Sequence, residues 1–528
     1  MKLARGMSMN QFRRGPIVLL GILVLGAFAA YEAAEYVIQR DVAGLAYAGM
    51  GIVGVAVVIA ILNNWRNGVY FFLGWLLFED FARKFLGNNM VIYFAKDVLA
   101  LVVFLSFFAA YRRKEVQSFR PPFLMPLLIL TWFGVMQIFN PASTSIWYGL
   151  LGVKLFFYYV PLLFVGYALI NSEVELRRFF TIHLILALAI ISLGIAQSII
   201  GPTFLSPGNL ADDIRLLSNT YRVAPVSGAI AYRPTSVFVS AGRYSNFILV
   251  IWLMVLGYLG YLLLCHKRGR ILAFLTVVVT AAGAVLTASR GTFMWAIMNV
   301  LASCVAFVWG APWRQGEALR ALRGIQRAAL ATGLGLVLLF FAFPDALLSR
   351  LAIYQETLMP NSPTSELTHR GWDYPIQNFL GAFNYDRWPY GYGIGTTALG
   401  VQYVARIFNT KQPVIGVESG YGTLVVEMGI GGLILWVIMS GAVCFSAWGV
   451  VKKLRGSPWF PLGFVIFWYA FILLFPATFG GIQPYEDFLL NAYLWLLLGI
   501  LFRLPTLALS AQFAAVAPGS QAAGPWKR

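Results

Sequence analysis

Charge is scarce in this chain. Of its 528 residues only 11% are Asp, Glu, Lys or Arg, less than half of the ~25% usual in soluble domains, and the mean hydropathy is +0.75. That shortage excludes an ordinary soluble globular protein. Histidine and cysteine are scarcer still, at three each. His183, His266 and His369 stand far apart and no His/Cys group has ligand spacing, so no metal site is expected. Cys265, Cys304 and Cys444 form no disulfide framework.

Long apolar runs take the place of the missing charge. A helix needs ~20 residues to cross ~30 Å of hydrocarbon. Fourteen runs meet that length approximately: 16–38, 42–62, 68–84, 90–110, 122–139, 149–170, 179–200, 245–264, 271–289, 292–310, 328–343, 421–447, 458–476 and 488–502. The expected fold is an all-α polytopic membrane protein. It divides into membrane helices over 1–200, a first long outer loop 201–244, membrane helices over 245–343, a large and partly helical outer loop 344–420 before the twelfth span, membrane helices over 421–502, and a tail 503–528. The end of the first run, Ala27-Phe28-Ala29-Ala30, has the small residues of a cleavage site, but apolar sequence resumes after it and a signal anchor is expected.

Cytoplasmic loops carry the excess of Lys and Arg in membrane proteins. With the N-terminus inside, the inner segments hold 24 of the 39 basic residues in 97 positions and the outer segments hold 12 in 156. Both termini are therefore expected in the cytoplasm. The same count explains most of the net charge of +18 as topological, in short loops such as Tyr111-Arg112-Arg113-Lys114, so the basic balance is no sign of nucleic-acid binding.

Chemistry is expected on the outer face, where loops 201–244 and 344–420 exceed ordinary connections. In the second, Ser362-Pro363 predicts a helix start, with Glu366, Arg370, Trp372, Asp373 and Phe379 on a short helix bent at Pro375. The stretch WPYGYGIGTT, 388–397, has glycines at alternate positions but neither a preceding strand nor a Gly-Lys-Ser/Thr ending. It predicts a tight turn near the membrane surface rather than a nucleotide site.

Arg290 interrupts the apolar sequence in VLTASRGTFMW, 285–295. Two readings fit it: a long side chain snorkelling from a span end, or a permanent cation that grips phosphate oxygens through its planar fork. Lys154, inside the sixth span and without an acidic neighbour in sequence, is a second such cation, whereas the adjacent Lys96 and Asp97 read as an internal ion pair. Several cations sharing one outer cavity would suit a diphosphate.

The segment VESGYGTLVVEMGIGG, 417–432, separates Glu418-Ser419 from Gly429 by nine intervening residues and Gly429 from Gly432 by two. This spacing resembles the signature of the bacterial O-antigen ligase and polymerase superfamily. The triplet Ser289-Arg290-Gly291 ending a span, the large loop before the signature, Arg370 and Trp372 ahead of the Pro389 to Gly395 turn, and a last span NAYLWLLLGILFRL agree with it over residues 220–500. The ligases carry His where this chain has Glu418, which points to the exopolysaccharide and capsule polymerases of the superfamily.

The resemblance implies a bacterial inner-membrane glycosyltransferase acting on its outer face, without metal or cofactor. Its partners would be an undecaprenyl-diphosphate-linked glycan donor, a glycan acceptor, the lipid bilayer and other polysaccharide assembly proteins. It implies catalytic roles for Glu418 as base, Arg290 and Arg370, and substrate contacts from Arg222, Arg233, Arg243, Lys154, Trp372 and Tyr421. Glu418 also suits a plain interaction with a helix N-terminus, and Glu427 is a rival base. A lipid-linked-sugar flippase is the competing class, but it predicts polar residues at both faces and a repeated half, and no internal repeat is found.

Overall fold

The computed structural model describes residues 42–88, 90–208, 210–312, 315–359, 373–398, 400–413, 415–481 and 485–516. The first expected span, 16–38, and Glu366, His369, Arg370 and Trp372 lie outside the described residues. In chain order the helices are α1 (Val42–Asn63), α2 (Trp65–Phe85), α3 (Met90–Arg112), α4 (Leu124–Met136), α5 (Ile146–Phe157), α6 (Leu162–Leu169), α7 (Glu173–Ile200) and α8 (Asp212–Ser218). A short hairpin of β1 (Tyr221–Val223) and β2 (Ile230–Tyr232) follows, then α9 (Ala241–Leu264), α10 (Arg270–Leu286), α11 (Arg290–Gly310), α12 (Gln315–Ala342) and α13 (Pro344–Leu358). The chain continues through α14 (Tyr374–Gly381), α15 (Val401–Phe408), α16 (Gly420–Leu454), α17 (Phe460–Ile472) and α18 (Phe488–Val516).

The protein is a membrane-embedded helical chain, and among the described residues length and apolarity support eight or nine spans. Among the described residues eight helical stretches can cross a membrane: Met90–Arg112, Ile146–Leu169, Glu173–Ile200, Ala241–Leu264, Arg290–Gly310, Gly420–Leu454, Phe460–Ala477 and Phe488–Ser510. The pair Ala329–Ala342 and Pro344–Leu358, bent by 117°, makes nine if taken as one span. Three other expected runs, 68–84, 122–139 and 271–289, fall short for identifiable reasons. Glu79, Asp80, Arg83 and Lys84 put four charges on α2; α4 with its last 3-10 turn ends at Phe139; and α10 has only 17 residues. Pro375 stands in the first turn of α14, and the part of the expected helix ahead of Asp373 lies outside the described residues.

By internal contacts the chain forms two units. One is the described part of Met1–Gly74 with Lys96–Arg112, in which Ser106 Oγ donates to Ile61 O at 3.0 Å and Trp65 meets Phe107 edge-on at 5.1 Å. Lys96 and Asp97 are both buried there.

The second unit is the described part of Trp75–Ala95 with Arg113–Arg528, and every described candidate site residue belongs to it. Its core is α9, α17 and α18. Small residues let these helices approach closely, as membrane helices do in the absence of a hydrophobic drive from lipid. A Cβ on Gly499 of α18 would stand 2.1 Å from Leu163 O of α6, and one on Gly257 of α9 would stand 2.1 Å from Val465 of α17.

The contacts also sort the ends of this unit. At one end Lys267 pairs with Glu173 at 2.9 Å, Gly456 N donates to Gly310 O at 2.7 Å, and Arg503 Nε donates to Ile170 O at 3.1 Å. At the other, Lys84 Nζ donates to Thr235 Oγ1 at 2.8 Å and Asn246 Nδ2 to Asp487 Oδ2 at 2.7 Å. The segment 201–244 lies at this second end and is not a simple surface loop. Thr235, Ser236, Val237, Phe238 and Val239 are buried, and the Gln197 side chain of α7 accepts from Thr235 N at 2.9 Å and Ser236 N at 2.7 Å.

Candidate functional site

Three arginines converge on Tyr354 in α13. Ser289 caps α11, its Oγ accepting from Thr292 N at 3.5 Å, and Arg290 is the first residue of that helix. Arg222 is the middle residue of β1, opposite Ala231, and Arg233 directly follows β2, its N–H donating to Thr220 O at 3.0 Å. Arg222, Arg233 and Arg350 are close enough for their charges to act on the Tyr354 phenol, and Arg290 acts on Arg233. Burial pushes the Arg233 guanidinium below the ordinary arginine range; Tyr354 opposes that shift and the Arg290 charge adds to it. Arg233 Nε is buried and finds no hydrogen-bond partner among the described residues.

Tyr354 is itself fixed. Its hydroxyl donates to Val285 O at 2.7 Å, and its ring stacks on Phe293 with centroids 4.6 Å apart. The hairpin is tied to the same helix: Glu356 accepts from Val226 N at 2.7 Å and Ser227 N at 3.1 Å. Arg350 anchors the whole corner. It is buried and donates to the carbonyls of Leu286, Ala346, Ser198 and Tyr232, so it ties α10, α7 and β2 to α13.

Arg243 and Lys154 belong to a different cluster. Arg243 Nη1 bonds both oxygens of Asp80 at 2.7 Å, and Asp80 also accepts from Val239 N at 3.2 Å and pairs with Arg83 at 3.1 Å. The Arg243 guanidinium lies 4.4 Å from the Phe488 ring centroid. Lys154 Nζ stands 4.9 Å from the Phe94 ring centroid and 5.4 Å from that of Tyr93, which Arg83 also covers at 4.9 Å. Here one buried carboxylate is held in direct ion pairs between two arginines.

The signature segment and the glycine turn form one interlocked piece. Gly429, at φ 69° and ψ −176°, breaks the helical ladder of α16. The carbonyls of Val426 and Glu427 consequently accept from Tyr392 N at 2.8 Å and Gly393 N at 2.9 Å, so the turn satisfies backbone groups that a broken membrane helix would leave bare. Gly391, Gly393 and Gly395 all have positive φ. A Cβ on Gly391 would stand 2.4 Å from Glu427 O and one on Gly395 2.3 Å from Tyr148 O. Gly391→Ala should therefore lower the unfolding midpoint by several degrees, from left-handed strain of about 1–2 kcal/mol plus the clash. Gly441→Ala, with open space around it in the same helix, should be neutral or stabilising by up to about 1 kcal/mol. Intrinsic tryptophan fluorescence during heating checks both.

Glu427 is buried inside this piece, its Oε1 accepting from Thr397 N at 2.9 Å and Thr397 Oγ1 at 2.6 Å. Burial, with the Glu427 carboxylate beside it, pushes the neighbouring Glu486 up to about 8. Glu418 is exposed instead and accepts from the Tyr374 hydroxyl at the start of α14. It directly precedes Ser419, which caps α16, and a Cβ on Gly481 would stand 2.9 Å from Glu418 O. Tyr421 donates to Leu474 O at 2.9 Å, and its ring lies 6.2 Å from that of Phe479.

The structure thus groups Arg222, Arg233 and Arg290, sets Arg243 and Lys154 in a second cluster, and leaves Glu418 solvent-facing. α11 and α17 run side by side, with Phe307 against Phe464 and Trp468 Nε1 donating to Asn299 at 3.0 Å. Arg290, at the start of α11, therefore shares an end of the bundle with Phe479, whose carbonyl accepts from Ser419 Oγ at 3.2 Å. Sequence reasoning missed Asp80, Glu356 and the anchoring part of Arg350; four charges on one α2 face end were the available signal for the first. No family model and no curated protein matches this chain.

Proposed function

We propose that this protein is a membrane glycosyltransferase that polymerises undecaprenyl-diphosphate-linked oligosaccharide repeat units into a surface polysaccharide or exopolysaccharide. The observation that supports it is the grouping of Arg222 and Arg233 at Tyr354, with Arg290 close enough for its charge to act on Arg233, at the loop-rich end of the bundle. A planar guanidinium grips phosphate oxygens two at a time, and a diphosphate offers oxygens for several such forks at once.

In this reading an acceptor hydroxyl attacks the anomeric carbon of the donor sugar. The bond from that carbon to the diphosphate oxygen breaks, and the lipid diphosphate leaves with the electron pair. The three arginines stabilise the growing negative charge, in a role that a divalent cation would otherwise fill. Glu418 takes the hydroxyl proton, with Tyr374 orienting its carboxylate. Arg370 and Trp372 are proposed to complete the sugar and phosphate contacts. The wider reading has fourteen spans, both termini in the cytoplasm of a bacterial inner membrane, and the arginine cluster on the outer face.

The test is purified protein in lipid, supplied with undecaprenyl-diphosphate repeat units and EDTA. Lengthening glycans are expected. Transfer only to a different acceptor would make it a ligase, and folded protein that forms no glycosidic bond with any acceptor would overturn the proposal.

A further inference from the structure

Helix α15 carries more apolar surface than the protein covers. At 3.6 residues per turn, Tyr403, Ile407, Val404, Phe408, Val401 and Ala405 form one continuous arc, with Gln402 and Arg406 opposite. The fold uses part of that arc: Val401 is buried against Tyr148, and Val404 and Ala405 pack into the same cluster. Ile407 remains 57% exposed and Phe408 41% exposed. Phe408 stacks on Trp147, centroids 4.0 Å apart, and Trp147 is itself 42% exposed.

The helix is fixed at a definite level. Tyr148, three residues into the span that begins at Ile146, donates to Lys411 O at 3.1 Å and shares a 2.8 Å bond with Thr410 Oγ1, while Thr144 Oγ1 donates to Lys411 O at 3.2 Å. α15 therefore lies where a membrane-crossing helix leaves the apolar layer. Residues 401–413 contain no Asp or Glu, and Arg406 and Lys411 are both exposed. A helix with a wide apolar arc and only basic charge suits the boundary between acyl chains and headgroups.

We propose that α15 is an interfacial helix lying along the bilayer surface, with Ile407, Phe408 and Trp147 set among the upper acyl chains and Arg406 and Lys411 reaching phospholipid phosphates. The partner is phospholipid. The consequence is mechanical: the chain between the glycine turn and Glu418 is tethered to the membrane at a fixed depth. This inference needs only the membrane-embedded fold and stands apart from the proposed chemistry.

Depth-resolved quenching tests it in the full chain. With the native cysteines replaced, a bimane label at Ile407→Cys in phospholipid bilayers should lose roughly half or more of its emission when bromines sit near the headgroup end of the acyl chains, and less when they sit deeper. Leu301→Cys, exposed midway along α11, should show the reverse order, and Ser227→Cys at the hairpin tip should respond to neither. A label at 407 that behaves like one at 227 overturns the inference. Should the cysteine-free chain not stay monodisperse, p-benzoylphenylalanine at position 407 of the chain with its own cysteines gives the same answer: adducts of phospholipid mass support the interfacial helix, and protein adducts alone overturn it.

Discussion

Arg290→Ala should reduce glycan lengthening by roughly 10²–10³ while the protein stays folded, the usual cost of removing one preorganised group that faces developing charge. Folding should survive because Arg290 is the first residue of α11, half-buried, and the cap at Ser289 remains. Arg290→Lys should recover part of the loss, since an ammonium keeps the charge but not the two-pronged grip on phosphate oxygens. Glu418→Gln should lower turnover with little change in donor affinity. Initial rates of polymer growth, with donor binding measured separately, check each. Full activity in both folded Arg290→Ala and Glu418→Gln variants would remove the assigned site.

The control lies in the second cluster. Arg243→Ala strips Asp80 of the partner that bonds both its oxygens, and breaking a buried pair from one side is costly. It should therefore act on yield and thermal stability rather than specifically on turnover.

Arg350→Ala should be the most destabilising single change, by at least about 3 kcal/mol. An unsatisfied buried carbonyl costs about 1–3 kcal/mol, and the substitution would strand those of Leu286, Ser198 and Tyr232 together. The guanidinium is the one side chain that can serve carbonyls on several elements at once, with five donors in a fixed fork. Arg350→Lys should be nearly as damaging, because three donors on a single nitrogen cannot reach the same set. The unfolding midpoint in detergent should fall by roughly 5 °C or more, and a midpoint within about 1 °C of the parent would contradict the anchoring role. Because Tyr232 adjoins Arg233, any folded fraction should also lose activity.

Much of the membrane architecture was legible beforehand because it depends on local patterns. Apolar runs marked the helices, alternating glycines marked the turn at Gly391 to Gly395, and Ser289 and Ser419 stand where their helices begin. The number of spans is not a local property. Whether 68–84 or 271–289 crosses a bilayer depends on charged partners and on helix ends that packing defines. The sequence also suggested a loop over 201–244, yet Thr235 to Val239 are buried because Gln197, Lys84 and Asp80 satisfy their polar groups.

Composition and periodicity were enough to establish a helical membrane protein with cations held near span ends, because a charge in an apolar run is visible wherever it stands. Tertiary structure alone decided which cations meet. Arg243 finds Asp80 across 163 positions, and Arg350 reaches Tyr232 across 118, while Arg222 and Arg233 meet at Tyr354 and Arg290 acts on Arg233. Such pairings follow from which helix faces pack together, and electrostatic energy depends on separation in space, which spacing along a chain does not contain.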